Sequence, residues 1–352
     1  MPHTYLVREI TAPQSFRTAQ VSALFDVPIS EKVRHAWQVD LPLDDAPWQI
    51  GLIVGPSGCG KSTIAQELWP DAYTRGYVWD DRSILDNFPA GMETRAIVAA
   101  LTAVGFSSPP DWVKPYRVLS TGQQMRADLA RALCQGGLVV FDEFTSVVDR
   151  TVAQIGSAAL AMAIRRQPDR HFIAVTCHED VLAWLAPDWM YEPATNSFQW
   201  RCLQRPPIAL DITRCHSSAW RLFQAAHYLS ATLNPSALCY VAEWAGVPVG
   251  FTAVLPVIGF KNAYRESRTV ILPDFQGIGI GTHLSDTIAA HYHAQGKRYR
   301  STTSHPAMIA HRNHSTHWSL CSVAIHGNPM HSHRVAVVST KRSVATFEYI
   351  GS

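Results

Sequence analysis

No two of the seven cysteines (59, 134, 177, 202, 215, 239 and 321) form a CxxC pair, and their odd number argues against a disulfide framework. A reducing cytoplasm is the expected compartment. Long apolar runs are missing too. The longest apolar stretch, residues 241–260, is broken by Glu243, Pro248, Pro256 and several glycines, so it reads as strand, turn, strand and no membrane span is expected. The opening residues MPHTYLVREITAPQ lack the apolar h-region of a secretory signal. Neither an internal repeat nor a low-complexity tract occurs.

Net charge is also scarce, only +2 over 352 residues, but it is unevenly placed. Residues 200–352 hold 14 Lys+Arg against 6 Asp+Glu, a formal +8, which leaves 16 against 22, or −6, for residues 1–199. An acidic half joined to a basic half suggests that the basic part meets phosphates, on a cofactor or a nucleic acid. With 47% apolar residues the chain can fill two cores. Turn formers and the Pro206-Pro207 pair between Ala194 and Pro207 set the expected boundary near residue 200, giving domains 1–199 and 200–352.

In the first domain, Gln49–Val54 reads as a short buried strand, Ser62–Leu68 as the start of a helix, and Gly137–Phe141 and Phe172–Thr176 as further buried strands. Strands alternating with helices predict a parallel α/β sheet. Between the first strand and helix lies Gly55-Pro56-Ser57-Gly58-Cys59-Gly60-Lys61-Ser62-Thr63, the Walker A pattern. Its glycines let backbone N–H groups and the helix N-terminus hold the phosphates of ATP. Lys61 is expected on the β and γ phosphates and Ser62 on Mg²⁺. Leu138–Phe141 ends in Asp142-Glu143, the Walker B arrangement, with Asp142 for Mg²⁺ and Glu143 as general base toward water.

The run Leu119-Ser120-Thr121-Gly122-Gln123-Gln124, followed by Ala130-Arg131-Ala132-Leu133, resembles the signature of ABC-type ATPases. Ser146-Val-Val-Asp149 resembles the D-loop of that family, and His178 matches its switch histidine. The resemblance implies that Ser120, Gly122 and Gln123 of one subunit complete the ATP site of another, in an ATP-dependent head-to-tail homodimer. The family's strand-end glutamine is not found near Trp79-Asp80-Asp81, where Asp80 or Asp81 would stand in for it. Only 59 positions separate Lys61 from Ser120, a short insert that points away from transporters and toward soluble ABC ATPases.

The second half differs in pattern. Residues 217–229 suggest an amphipathic helix opened by Ser217, residues 238–244 and 248–255 an antiparallel hairpin, and residues 267–272 a third strand before a helix at Thr282. Gln276-Gly277-Ile278-Gly279-Ile280-Gly281 resembles the pyrophosphate loop of GNAT acyltransferases, whose pattern is Gln/Arg-x-x-Gly-x-Gly/Ala. The resemblance implies an α+β domain with a mixed, mostly antiparallel sheet. It places the diphosphate of acetyl-CoA, or another acyl-CoA, on these amides, with Ile271 and Leu272 offering main-chain groups to the pantetheine arm. The family's tyrosine acid is missing, so Glu266 and His305 are the candidates for acid–base work, Glu266 being equally readable as a surface residue. Histidines gather at 283, 291, 293, 305, 311, 314, 317, 326, 331 and 333, without the ligand spacing of a zinc finger.

The whole arrangement resembles ABC ATPases fused to predicted acetyltransferases, and its latter half faintly resembles the phage Mom proteins, which modify adenine in DNA. The expected function is an ABC ATPase coupled to an acyl-CoA-dependent N-acyltransferase acting on a nucleic-acid base, in DNA or tRNA. Trp318, Arg312, Arg298 and Arg300 are the exposed aromatic and basic candidates for that contact. The alternatives are transfer to a protein or small amine under control of the ABC half, and a DNA-binding clamp whose GNAT module is inactive.

Overall fold

The computed structural model describes residues 3–11, 13–26, 32–200, 205–227, 232–326 and 342–351. Up to Trp200 the elements run β1 (His3–Thr11), α1 (Phe16–Phe25), β2 (Lys32–Asp40), β3 (Ile50–Val54), α2 (Lys61–Leu68), β4 (Tyr73–Thr74), α3 (Thr94–Ala103), α4 (Pro109–Trp112), α5 (Thr121–Cys134), β5 (Leu138–Phe141), α6 (Arg150–Arg165), β6 (His171–Thr176), α7 (Leu182–Leu185), β7 (Trp189–Glu192) and β8 (Ser197–Trp200). Beyond it come β9 (Asp211–Cys215), β10 (Leu238–Trp244), β11 (Val247–Pro256), β12 (Ala263–Ile271), α8 (Ile280–Ala294), β13 (Arg298–Thr303), α9 (Pro306–His314), β14 (Trp318–His326) and β15 (Arg342–Tyr349). They pack into two units that interleave along the chain. Met1–Val78, Gln135–Val148 and Ala163–Arg205 form the first, and Trp79–Cys134, Asp149–Met162 and Pro206–Ser352 the second. No described helix is both long and apolar enough to cross a membrane.

In the first unit the strands order as β4-β5-β6-β3-β7-β8, parallel except for the β7–β8 pair. All five residues of β3 are buried, as an apolar run enclosed in a parallel sheet requires. Ile53, Ile64, Val140, Ile173, Val175, Trp189 and Tyr191 share one core cluster there. Gly51 lies under the indole of Trp189, where an added Cβ would stand 2.1 Å from the ring. Gly51→Ala is therefore expected to cost about 1–3 kcal/mol by overpacking, read as a lowered urea midpoint with unchanged slope.

In the second unit a seven-stranded sheet orders as β14-β15-β13-β12-β11-β10-β9, antiparallel except for β12–β13. Ala245 (φ 51°) and Gly246 (φ 78°) close the β10–β11 hairpin with the two left-handed residues that a tight two-residue turn demands. The parallel ladder pairs only Ala263–Arg265 with Arg298–Arg300, so the rest of β12 has no ladder with β13. Ser267 is the extra residue of a bulge where Arg268 pairs with Ala253 and Glu266 with Val254. The described structure therefore has the α/β and mixed-sheet α+β parts that the sequence predicts.

Three local expectations shift. Instead of a helix over 217–229, Ser217–Leu222 and Gln224–Ala226 form 3₁₀ turns, Leu229 lying outside the described residues. Trp220 and Phe223, three residues apart, both enter the core around Phe251, and a threefold period puts them on one side. Helix α8 starts at Ile280 rather than Thr282, because Gly279 (φ 90°) caps it. Strand β12 begins at Ala263, four residues before Ser267.

Candidate functional site

The loop from Gly55 to Gly60 carries three left-handed glycines, Gly55 (φ 149°), Gly58 (φ 84°) and Gly60 (φ 97°). Gly60 must also be bare because a Cβ there would stand 2.3 Å from Trp37 Nε1. The Trp37 indole N–H donates to the Cys59 carbonyl at 3.1 Å, so β2 supplies a wall behind the loop that no local motif announced. The first amide of α2 with a backbone acceptor is Ile64, bonded to Gly60 O at 2.9 Å. Among the described residues the N–H groups of Gly58, Gly60, Lys61, Ser62 and Thr63 have no protein acceptor, a cradle suited to an anion. Lys61 Nζ donates to the carbonyls of Gly55 (2.8 Å) and Pro56 (2.7 Å) beside it. Pro56 and Ser57 form the exposed arch of the loop.

Ser62 Oγ donates to Asp142 Oδ1 at 3.0 Å, which brings the two predicted Mg²⁺ ligands together. Tyr73 Oη and Arg75 Nε occupy the other oxygen of Asp142, whose side chain is 2% exposed. Sequence reading missed both, since β4 is only two residues long and Arg75 follows it. Burial first, and then the bond to Asp142, hold the Tyr73 phenol above its usual pKa. After β5 the backbone turns through two left-handed non-glycine residues, Glu143 (φ 54°) and Thr145 (φ 67°). Such strain is uncommon away from functional turns. It leaves Glu143 exposed, with its carboxylate accepting from Ser146 Oγ at 2.6 Å. His178 follows β6, half-buried, its amide on Thr176 Oγ1 at 3.2 Å.

In the second unit Ser120 and Gln123 cap α5 reciprocally. The Gln123 amide donates to Ser120 Oγ (3.3 Å) and the Ser120 amide to Gln123 Oε1 (3.1 Å). Gly122 lies against Val152, where a Cβ would come within 3.0 Å. Asp80 is engaged by Arg82 and Asn87, and Asp81 by Arg117. Trp79 instead ties this segment to α5, donating to Asp128 (2.7 Å) and stacking on Tyr116.

The second glycine loop shows the same anion logic. Gly277 (φ 93°) and Gly279 (φ 90°) are left-handed, and His283 is the first residue of α8 whose amide finds a backbone acceptor, Gly279 O at 3.1 Å. The N–H groups of Gly277, Ile278, Gly279, Ile280, Gly281 and Thr282 have none among the described residues. Gln276 is turned inward, its Nε2 on Ile271 O at 2.9 Å and its Oε1 accepting from the Ser107 amide at 3.3 Å. Ile271 O is thus engaged, and the Leu272 amide donates to Val249 O at 3.0 Å. Arg126 of α5, buried, donates to the carbonyls of Gly105, Asp274 (2.9 Å) and Gln276 (3.4 Å). Burial pushes its guanidinium down to about 10.

Glu266 proves to be interior rather than surface. Its carboxylate accepts from Arg312 Nη2 (3.1 Å), Ser285 Oγ (2.9 Å) and Thr269 Oγ1, with side-chain exposures of 9% for Glu266 and 0% for Arg312. Arg312 lies 4.5 Å over Trp318, itself only 5% exposed and bonded to Asp286. Both leave the list of exposed nucleic-acid contacts, because an (i, i+6) step from α9 into β14 points them at one another. Arg298 and Arg300 meet Glu348 across β13–β15. Arg312 Nε and Nη1 and the Tyr299 hydroxyl are buried without partners among the described residues.

His305 precedes α9, and burial holds its ring below the ordinary value of 6.5. Its Nδ1 also has no partner among the described residues. The folded ring binds a proton less readily than the unfolded one, so its contribution is full above pH 6.5 and falls as the pH drops through and below that value. His305→Asn is expected to flatten that part of the melting-temperature profile, checked by thermal melts on both sides of pH 6.5. No three His, Cys, Asp or Glu side chains cluster as metal ligands among the described residues. His331 and His333 lie outside them, and His311 is bonded to Asp286.

The model of the acetyltransferase (GNAT) family matches residues 198–317. The energy-dependent translational throttle protein EttA of Mycobacterium tuberculosis is 31% identical over 167 residues, 39% of this chain and 30% of that protein. The zinc import ATP-binding protein ZnuC of Pseudomonas putida is 29% identical over 154 residues, 37% of this chain and 58% of that protein. Among solved structures, the IAA acetyltransferase of Bacillus cereus overlays with TM-score 0.31 at 17% identity, covering 40% of this chain and 99% of that one. The chain thus spans less than a third of the mycobacterial relative's length. It joins an N-terminal region of the ABC ATPase type to a C-terminal domain of the GNAT acetyltransferase family.

Proposed function

We propose that this chain couples ATP hydrolysis to acyl transfer from acetyl-CoA, or another acyl-CoA, onto an amine of a nucleic-acid base in DNA or tRNA. The observation that carries the reading is the pair of glycine loops, each leaving at least five consecutive or near-consecutive backbone N–H groups without an acceptor among the described residues at the start of a helix. The first would hold the phosphates of ATP, with Lys61 moving from the loop carbonyls to the phosphate oxygens. Ser62 and Asp142, 3.0 Å apart, would share Mg²⁺. Glu143 takes a proton from the attacking water while Ser146 orients its carboxylate. His178 contacts the γ-phosphate, and the Ser120–Gln123 cap of a second copy closes the site in a nucleotide-dependent homodimer.

In the GNAT domain the loop at 276–281 would hold the CoA diphosphate, while the thioester to the pantetheine sulfur activates the acyl carbon and the CoA thiol leaves as the amine attacks. Glu266 is already engaged by Arg312, so His305, kept neutral by burial, is the better acceptor for the amine proton. Support for a nucleic-acid acceptor comes from the +8 half and from the β11–β12 turn, where Ile258 (96% exposed) and Phe260 (60%) precede the exposed Lys261. Apolar wedges beside a cation suit an unstacked base, and unstacking costs a few kcal/mol that ATP can offset.

The test offers the purified chain acetyl-CoA and ATP with DNA, tRNA or protein, and measures free CoA thiol. Release with nucleic acid supports the reading, and release with protein alone moves the acceptor to a protein amine. The engagement of Glu266 favours one further reading, a DNA clamp with an inactive GNAT module. DNA-stimulated ATPase without any thiol release would establish that clamp instead. With coupling intact, Lys61→Ala is expected to abolish ATPase and lower nucleic-acid acylation together, and acylation that persists at the wild-type rate would remove the coupling.

A further inference from the structure

Three independent contacts seat the 274–281 loop on the region that carries the ABC signature. Arg126, six residues after Ser120 and so roughly 9 Å along α5 from the cap, gives its guanidinium to two loop carbonyls, Asp274 and Gln276, and to Gly105 at the end of α3. The Ser107 amide donates to the Gln276 side chain. Gly105 (φ 82°) and Gly277 (φ 93°) meet backbone to backbone. A Cβ on Gly105 would stand 2.4 Å from Gln276 O, and one on Gly277 2.7 Å from Gly105 Cα. A buried guanidinium bonded only to carbonyls is costly to leave half-satisfied, so loop and helix move together or lose several bonds at once.

We propose that Arg126 is the positioning residue that makes the acyl-CoA loop depend on the nucleotide state sensed by the signature helix. The inference rests on the functional reading above, in which Ser120 meets a γ-phosphate and residues 276–281 meet the CoA diphosphate. Nucleotide engagement at the cap of α5 shifts that helix, and Arg126 carries the shift to Asp274 and Gln276, whose carbonyl orientation sets where the following N–H groups point. Gln276 works in the same latch, as a tether to Ser107 rather than a free contact for CoA. The two phosphate cradles then have one coupling free energy, and linkage makes it reciprocal.

The test titrates the full-length chain with CoA by calorimetry, with and without the non-hydrolysable nucleotide AMP-PNP and Mg²⁺, and repeats the titration in the reverse order. Wild type is expected to change its CoA affinity at least about fivefold with nucleotide, and its nucleotide affinity by the same factor with CoA. Arg126→Met should bring both factors to about one while each ligand still binds. A merely structural Arg126 would lower stability without touching reciprocity. Full nucleotide dependence in Arg126→Met, or two ligands that bind wild type independently, overturns the proposal. Absence of CoA binding in wild type overturns the acyl-CoA reading itself and is distinguishable, because nucleotide still binds. Should Arg126→Met not fold, amide exchange of wild type keeps the test open. Nucleotide must alter protection in residues 274–281 as well as in 103–107, and a change confined to residues near Ser120 overturns the latch.

Discussion

Glu143→Gln is expected to lower ATP turnover by about 10²–10⁴-fold, the contribution of a positioned general base, while leaving nucleotide binding in place. The residue is separable from binding by geometry. The Walker A amides, Lys61 and the Ser62–Asp142 pair all lie on other backbone segments or oxygens, and the Glu143 carboxylate accepts from Ser146. Its left-handed backbone (φ 54°) is borne equally by glutamine, so the strained turn after β5 survives the change. Asp142→Asn would be a poorer test. It strips charge from an oxygen pair shared by Ser62, Tyr73 and Arg75, and stability falls along with activity. Phosphate release and fluorescent-nucleotide binding measured on one preparation separate the two effects. Turnover above a tenth of wild type would move the base elsewhere, with His178 next in line.

What the sequence could disclose was local. Walker A, the strand ending in Asp142-Glu143, the Ser120 cap and the second glycine loop are each written within a few consecutive residues, because each is a strand end or helix start whose backbone demands glycine or a capping side chain. The two-part fold class followed from them. Partners set by tertiary packing were not legible. Trp37 reaches Cys59 from 22 residues away, Arg75 reaches Asp142 from 67, and Arg126 meets Gln276 across 150. Trp318 and Arg312 looked exposed because α9 and β14 carry no apolar periodicity strong enough to reveal that the two stack against each other inside. The helix expected over 217–229 failed for a related reason, since Trp220 and Phe223 fit a threefold as well as a 3.6-fold period.

Glu266→Gln is expected to destabilise the second unit by about 3–5 kcal/mol, because it leaves Arg312 buried without its counter-charge. Arg312→Met should cost a similar amount, because it leaves the Glu266 carboxylate in the interior without its counter-charge. Replacing both partners by leucine should recover much of the loss, since paired apolar side chains need no compensation. Denaturant melts of the three variants decide the matter, and wild-type stability in Glu266→Gln would refute a buried ion pair here. The same set sorts the chemistry. If Glu266 serves only to fix β12 against α8 and α9, acyl transfer per folded molecule stays near wild type in the double variant. If the carboxylate touches the acceptor amine, transfer is lost in that variant however well it folds.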